Sequence, residues 1–312
     1  MRHIGLFDRR VGSVERSHAR LGRTDYLARP RKPATAAPAL GSLLKGQSSL
    51  PSDYRHPVAH VDTRNDQHPD PPVRQSGYAL VGDMAISCFA VLRPVIPQIM
   101  PELIEQIMPE PKMEFVSACN NAAWSVGEVA LHYGNGIDDR SAGTDPEFAQ
   151  WVTPLIQRLI PILLSPKSPK SLTENAAVTI GRLALVQPDM VSPHLEVFAQ
   201  PWWVALSEIK DNDEKDSAFR GFCGLIERNP SGIAKVCCEL RLVGVWILIF
   251  CAQAFVFFCN AVVRWTAPSQ ELNDLFSKIL HGFKQMSGSQ WEAQMAAFPE
   301  GIQERLRSRY QV

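Results

Sequence analysis

The chain of 312 residues is 45% apolar and 21% charged, and its 32 basic and 32 acidic side chains cancel to a formal charge of zero. That length supplies one large or two ordinary domains with ample material for a core, and the neutral balance argues against a globally nucleic-acid-binding protein. The total hides an asymmetry. Residues 1–76 hold 13 basic against 7 acidic side chains and the remainder 19 against 25, so a basic leader precedes an acidic body on which a basic partner could dock.

Residues 1–72 carry eight prolines and scattered arginines. No window there repeats apolar residues at helical or strand spacing for long enough to bury a face, which predicts a disordered, basic, Pro-rich leader. Two rival readings stand beside it: a mitochondrial transit peptide, from the ten basic and three acidic residues of 1–50, and a leader that is not native coding sequence. From Val73 the texture changes, and apolar residues recur at i, i+3, i+4 and i+7 in segment after segment. This spacing predicts helices over 73–92, 95–108, 112–133, 148–164, 171–187, 192–209 and 213–228, and again over 254–265, 269–284 and 289–308. Breaks fall at Pro or polar clusters such as SPKSPK, IKDNDEK and RNPSG. Nothing alternates with period two, so the body is expected to be all-α.

The body also repeats itself. Residues 75–85 (QSGYALVGDMA) parallel 120–130 (NNAAWSVGEVA), 174–184 (ENAAVTIGRLA) and, more loosely, 216–226 (DSAFRGFCGLI). Aligning Gly82, Gly127, Gly181 and Cys223 gives spacings of 45, 54 and 42 residues, in the range of HEAT and armadillo repeats. Small residues let neighbouring helices approach while large ones fill the seam. Helix pairs that cannot bury their faces alone stack into a solenoid. The expected fold is therefore an all-α, HEAT-repeat α-solenoid over residues 73–312.

The seven cysteines show no CxxC pair, which reads as reduced thiols and predicts no zinc site. His56 and His60 read as solvated, and Asp138, Asp139 and Asp145 fit no EF-hand spacing. No GxSxG, P-loop, GxGxxG after a strand, or HExxH appears. The expectation is a protein that is not an enzyme, without cofactor or metal. On a helix, Val116, Asn120, Trp124 and Glu128 are four apart and share one face: a strip of apolar, amide, aromatic and acidic groups. Such a strip suits an extended basic peptide, because the indole can stack on a guanidinium, the carboxylate can pair with it, and the amides can bond a peptide main chain. The alternative is structural, with Trp124 in a core and Asn120 and Asn121 solvated or bonded between repeats. Trp202 and Trp203 read as packing, and Lys210–Asp216 as a solvated turn with an N-cap.

The stretches VRQSGYALVGDM, FVSACNNAAWSVGE, TENAAVTIGRLALVQP, PWWVALSEIKDNDEKDSAFRGFCGLIERNPSG and KILHGFKQ resemble the transportin family, importin-beta-type nuclear import receptors built from HEAT repeats. The resemblance runs from Val73 to Val312 and covers the C-terminal end of the family's chain, without the N-terminal repeats that bind the small GTPase Ran. It implies protein cargo carrying basic, Pro-Tyr-containing nuclear localisation signals, bound on a concave face. The family's signal-binding positions map onto Asn120, Asn121 and Trp124, with Glu128 one turn on, Val116 beside the indole, and Asn175 and Val178 from the next repeat. It implies nucleoporins as further partners, no nucleic acid, no membrane, and residence in cytoplasm and nucleus. A HEAT scaffold without import activity is the competing class.

One segment fits none of this. Leu242–Val263 is uncharged and long enough to span a membrane, which supports an alternative reading as a membrane-anchored helical protein. The 18 residues Val236–Gln253 match nothing in the family. They read as an in-frame retained intron, since Val-Cys and the closing Gln are encodable as splice-site sequences, with a divergent, buried repeat insert as the other reading beside the membrane anchor.

Overall fold

The computed structural model describes residues 70–135, 146–207, 209–229 and 257–312. The expected leader, most of the loop with Asp138, Asp139 and Asp145, and the 236–253 insert lie outside the described residues. Among the described residues every regular element is a helix. In chain order they are α1 (Pro71–Leu92), α2 (Ile96–Gln106), α3 (Val116–Asn135), α4 (Pro146–Leu164), α5 (Lys170–Val186), the single turn α6 (Pro188–Val191), α7 (Leu195–Ser207), α8 (Asp213–Arg228), α9 (257–264), α10 (Gln270–Ser287), α11 (Trp291–Ala296) and α12 (Glu300–Tyr310).

These spans follow the apolar periodicity closely, with one correction. The helix expected over 289–308 is two, α11 and α12, parted at Ala297–Pro299. Proline disfavours the α region for the residue before it, and here Pro299 is itself extended at the N-cap of α12, so the chain breaks at Phe298–Pro299.

The helices lie in two layers. In one, α1 packs on α3, α3 on α5, α5 on α8 and α8 on α10; in the other, α2 packs on α4 and α4 on α7. The connections among the described residues, from α1 to α2, α2 to α3, α4 to α5 and α5 through α6 to α7, join one layer to the other, and an apolar core runs between the layers. This is the HEAT-repeat arrangement expected from the repeats.

Composition separates the layers. Prolines interrupt α2 (Pro101), α4 (Pro154 and Pro161) and α7 (Pro201), where a missing N–H and a bent axis can be accommodated. The α1–α3–α5–α8 row has none beyond the first turn of α1, and it carries glycines at its crossings instead. The closest crossing is α5 on α8. A Cβ built on Gly221 would lie 1.8 Å from the carbonyl oxygen of Gly181. No residue but glycine fits there without the helices parting.

The aromatic residues fill the seams. Trp202 stacks on Phe222 at 4.0 Å and donates from its indole to the Ala177 carbonyl at 2.7 Å. Trp203 is buried beside it. Both tryptophans thus pack between helix pairs, as expected.

The Lys210–Asp216 turn departs from its expected solvated character. Asn212 does cap α8, accepting from the Lys215 N–H at 2.8 Å. Lys215 itself is buried, with Nζ donating to the Ile209 carbonyl and to Asp211 Oδ1 at 3.0 Å each and lying 4.6 Å from the Trp265 ring centre. Asp211 in turn accepts from the Thr266 N–H and hydroxyl. The mixed-sign run is a polar latch joining α8 to the segment after α9. Burial lowers the Lys215 pKa, and the Asp211 carboxylate opposes that shift.

Candidate peptide-binding face

The face expected to carry function begins on α3. A short 3-10 turn (Met113–Phe115) leads into Val116, and small residues then let α3 lie between two neighbours. Ala118, Ala122, Ala123, Val126, Val129 and Ala130 are buried in the core. The opposite edge leaves Val116, Asn120, Asn121 and Trp124 half-exposed.

Trp124 lies against α1, its ring over Gly82. A Cβ at Gly82 would come within 2.1 Å of the indole Cζ3, so the glycine makes room for the indole. On its other edge the indole Nε1 donates to Glu214 Oε1 at 2.9 Å. Glu214 sits in the acidic first turn of α8, ninety positions along the chain. An aromatic plate and a carboxylate therefore stand together, which is the pairing an arginine or lysine side chain favours.

The amides are used partly between helices. Asn121 Nδ2 donates to the Gln75 carbonyl of α1 at 3.0 Å, and Asn175 Nδ2 to the Asn120 carbonyl of α3 at 3.4 Å. Thr179 continues the series one turn further along α5, donating to the Ala123 carbonyl at 2.7 Å. Asn120 Oδ1 is buried without a hydrogen-bond partner among the described residues, an open acceptor in the middle of the row.

Two residues of the expected set face inward. Glu128 is buried and pairs with Arg182 NH1 at 2.8 Å, while Arg182 Nε donates to Ser217 of α8 at 3.0 Å. Its carboxylate thus joins α3, α5 and α8 rather than facing solvent, because one more helical turn carries the strip into the α3–α5 interface. Val178 is buried in the same core.

Glu214, which holds the carboxylate at the indole, lies in the Lys210–Asp216 run that the sequence reads as a solvated turn, with no part in the binding strip. Its only sequence signal is the acidic first turn after the Asn212 cap, and periodicity along α3 cannot point to it.

Nothing in this face suggests covalent chemistry. The four cysteines among the described residues, Cys88, Cys119, Cys223 and Cys259, are free thiols. Burial pushes the Cys119 thiol up to about 11 and raises the others. Among the described residues no group of three or more His, Cys, Asp or Glu side chains could hold a metal ion.

No protein-family profile matches the chain. Curated proteins do. Transportin-1 of Homo sapiens and of Mus musculus are each 40% identical to it over 243 residues, covering 78% of this chain and 23% of theirs. Importin subunit beta-2 of Schizosaccharomyces pombe is 39% identical over 225 residues, covering 72% of this chain and 21% of its own. These are names of transport proteins rather than of enzymes. The chain spans less than a quarter of the relatives' length. By sequence over that span and by the HEAT-type layering of its helices, the chain belongs to the transportin (importin subunit beta-2) family.

Proposed function

We propose that this chain is the signal-binding portion of a nuclear import receptor, and that it takes basic, Pro-Tyr-containing nuclear localisation signals of protein cargo along the edge formed by Val116, Asn120, Asn121, Trp124 and Asn175. The observation that carries this reading is the half-exposed Trp124, bedded on Gly82 and hydrogen-bonded to Glu214. A basic side chain of the signal lies over the indole with its charge toward Glu214. The open Asn120 Oδ1 accepts from the peptide main chain after a small side-chain adjustment. Glu128 and Val178 serve from behind, fixing α3 on α5. The relatives' length beyond this span is where the resemblance puts the Ran-binding repeats and, with them, cargo release. Signal capture here would serve an import cycle with nucleoporin contacts and shuttling between cytoplasm and nucleus.

The competing reading is a HEAT scaffold without signal recognition. It is favoured by the bonds that Asn121 and Asn175 already make between helices. Fluorescence anisotropy with a labelled basic Pro-Tyr peptide separates the two. The import reading expects saturable binding that weakens as salt rises, and a loss of about tenfold or more for Trp124→Ala, the scale of an aromatic anchor. A peptide bound equally by wild type and Trp124→Ala, or not bound at all by the folded chain, returns the protein to the scaffold class.

A further inference from the structure

The turn between α4 and α5 reads Ser165-Pro166-Lys167-Ser168-Pro169-Lys170, two successive Ser-Pro-Lys triplets with no part in the peptide-binding reading. Its hydroxyls hold it against the α2–α3 connection of the preceding helix pair. Ser165 Oγ donates to Glu110 Oε1 at 2.8 Å, and Ser168 Oγ donates to the Pro109 carbonyl at 2.6 Å. Lys167 Nζ stands 3.9 Å from the second Glu110 oxygen. Both serines are half-buried, while Pro166, Lys167 and Lys170 are exposed. The turn borders a groove of about 520 Å³ whose other wall is Gln200, Pro201, Val204 and Ala205 of α7.

We propose that Ser165 and Ser168 are phosphate acceptors for a proline-directed serine/threonine kinase, and that a phosphate on either releases the α2–α3 connection from the α4–α5 turn. A serine followed by proline offers no main-chain N–H at the next position and a fixed φ. Each triplet adds a lysine two residues on, a positive charge beside the incoming phosphate. Two other described hydroxyls precede proline, Thr153 and Ser192. Thr153 lies inside α4, Ser192 is buried, and neither has that lysine.

The kinase takes the turn in its locally opened form. Serine Oγ attacks the γ-phosphorus of MgATP and forms a new O–P bond. The bond from that phosphorus to the β–γ bridging oxygen breaks, ADP leaves with the oxygen, and the hydroxyl proton passes to the kinase's base.

The product cannot reclose. The serine oxygen has lost its hydrogen, so neither the Glu110 carboxylate nor the Pro109 carbonyl receives a bond. The added charge, about −1.5 to −2, also repels Glu110. Lys167 and Lys170 and the start of α5 stand on the phosphate's own side and stabilise it there. Arg158, whose NH1 donates to the Glu105 and Ile107 carbonyls at 3.1 Å each, keeps the near end of the connection in place. The release is therefore confined to about residues 109–115.

The test needs no peptide ligand and so stands apart from the import reading. The full chain is incubated with a proline-directed kinase and MgATP, sites are mapped by mass spectrometry, and amide hydrogen exchange is compared before and after. The expected result is phosphate at Ser165 or Ser168, none in the doubly substituted Ser165→Ala, Ser168→Ala chain, and exchange over 109–115 faster by about tenfold. A chain left unmodified at both serines overturns the site. Modification with unchanged exchange over 109–115 overturns the release.

Discussion

Trp124 shows how little a residue's own neighbours in sequence say about its role. Helical spacing puts it on one face with Val116, Asn120 and Glu128, but that face is not uniform: it is half-exposed at Trp124 and closed at Glu128, one turn on. The buried Glu128–Arg182 pair should therefore behave as a structural element. Removing one partner leaves the other charge uncompensated in the core, so Glu128→Ala is expected to cost about 3–5 kcal/mol in chemical denaturation. A cost near zero would place the carboxylate in solvent. His132, two turns beyond Ser125 on the same helix, stacks on Phe89 at 5.3 Å. Burial, with Arg182 nearby, holds its pKa below the usual 6.5. The folded chain thus favours the neutral ring, and its contribution to stability is present above about pH 6.5. As pH falls through the window below that value, the unfolded chain takes up a proton that the folded chain resists, and the contribution is lost. The melting temperature should fall between about pH 7 and pH 5.5, and His132→Phe should flatten that slope. An unchanged slope would remove His132 from the cause.

At the scale of elements, the layers differ in what lets them pack. The proline-bearing helices α2, α4 and α7 bury large apolar side chains, with Arg158 of α4 also reaching the Glu105 carbonyl of α2. The α1–α3–α5–α8 row meets through glycine and through side-chain donors reaching the next helix's carbonyls, as Asn121, Asn175 and Thr179 do. Gly221 marks the tightest of these crossings, backbone against backbone, where nothing flexible can yield. Gly221→Ala should destabilise by about 2 kcal/mol or more, the scale of overpacking in a rigid core, despite alanine's better helix propensity. Gly224 lies on the same helix with nothing within 4 Å of its added Cβ. Gly224→Ala should be neutral or stabilising, and a thermal melt of the two variants side by side tests the contrast. The segment Pro71–Gln106 would pass as a membrane span by length and composition. In the structure it turns at Arg93–Val95 and buries Val81, Met84, Ala85, Leu92, Ile96 and Met100 in the core. The other apolar candidate, 242–263, is described only from 257 on, where α9 packs Phe258 against Trp203 and Phe276.

Across the whole molecule, each helix of the row touches chiefly the next, so stability is a chain of local terms rather than one shared core. A lesion should then spread only to its neighbours. For Gly221→Ala, hydrogen exchange is expected to quicken in α5, α8 and α10 and to stay near wild type in α1, whereas uniform quickening would mark a single cooperative unit. The all-α class, the helix spans and the repeat period were legible in the sequence, because amphipathic period and helix-breaking residues are local properties written into consecutive positions. The asparagine recurring at Asn121 and Asn175 was legible too, as a repeated position, and each bridges to the preceding helix of the row. Which side of a helix faces solvent, and which carboxylate meets the indole, depends on how far each helix turns before its neighbour covers it. Glu128 closes on Arg182 and Glu214 opens onto Trp124 because α5 and α8 arrive from 54 and 90 positions away. That distance in sequence, brought to contact by stacking, is what only the tertiary structure could decide.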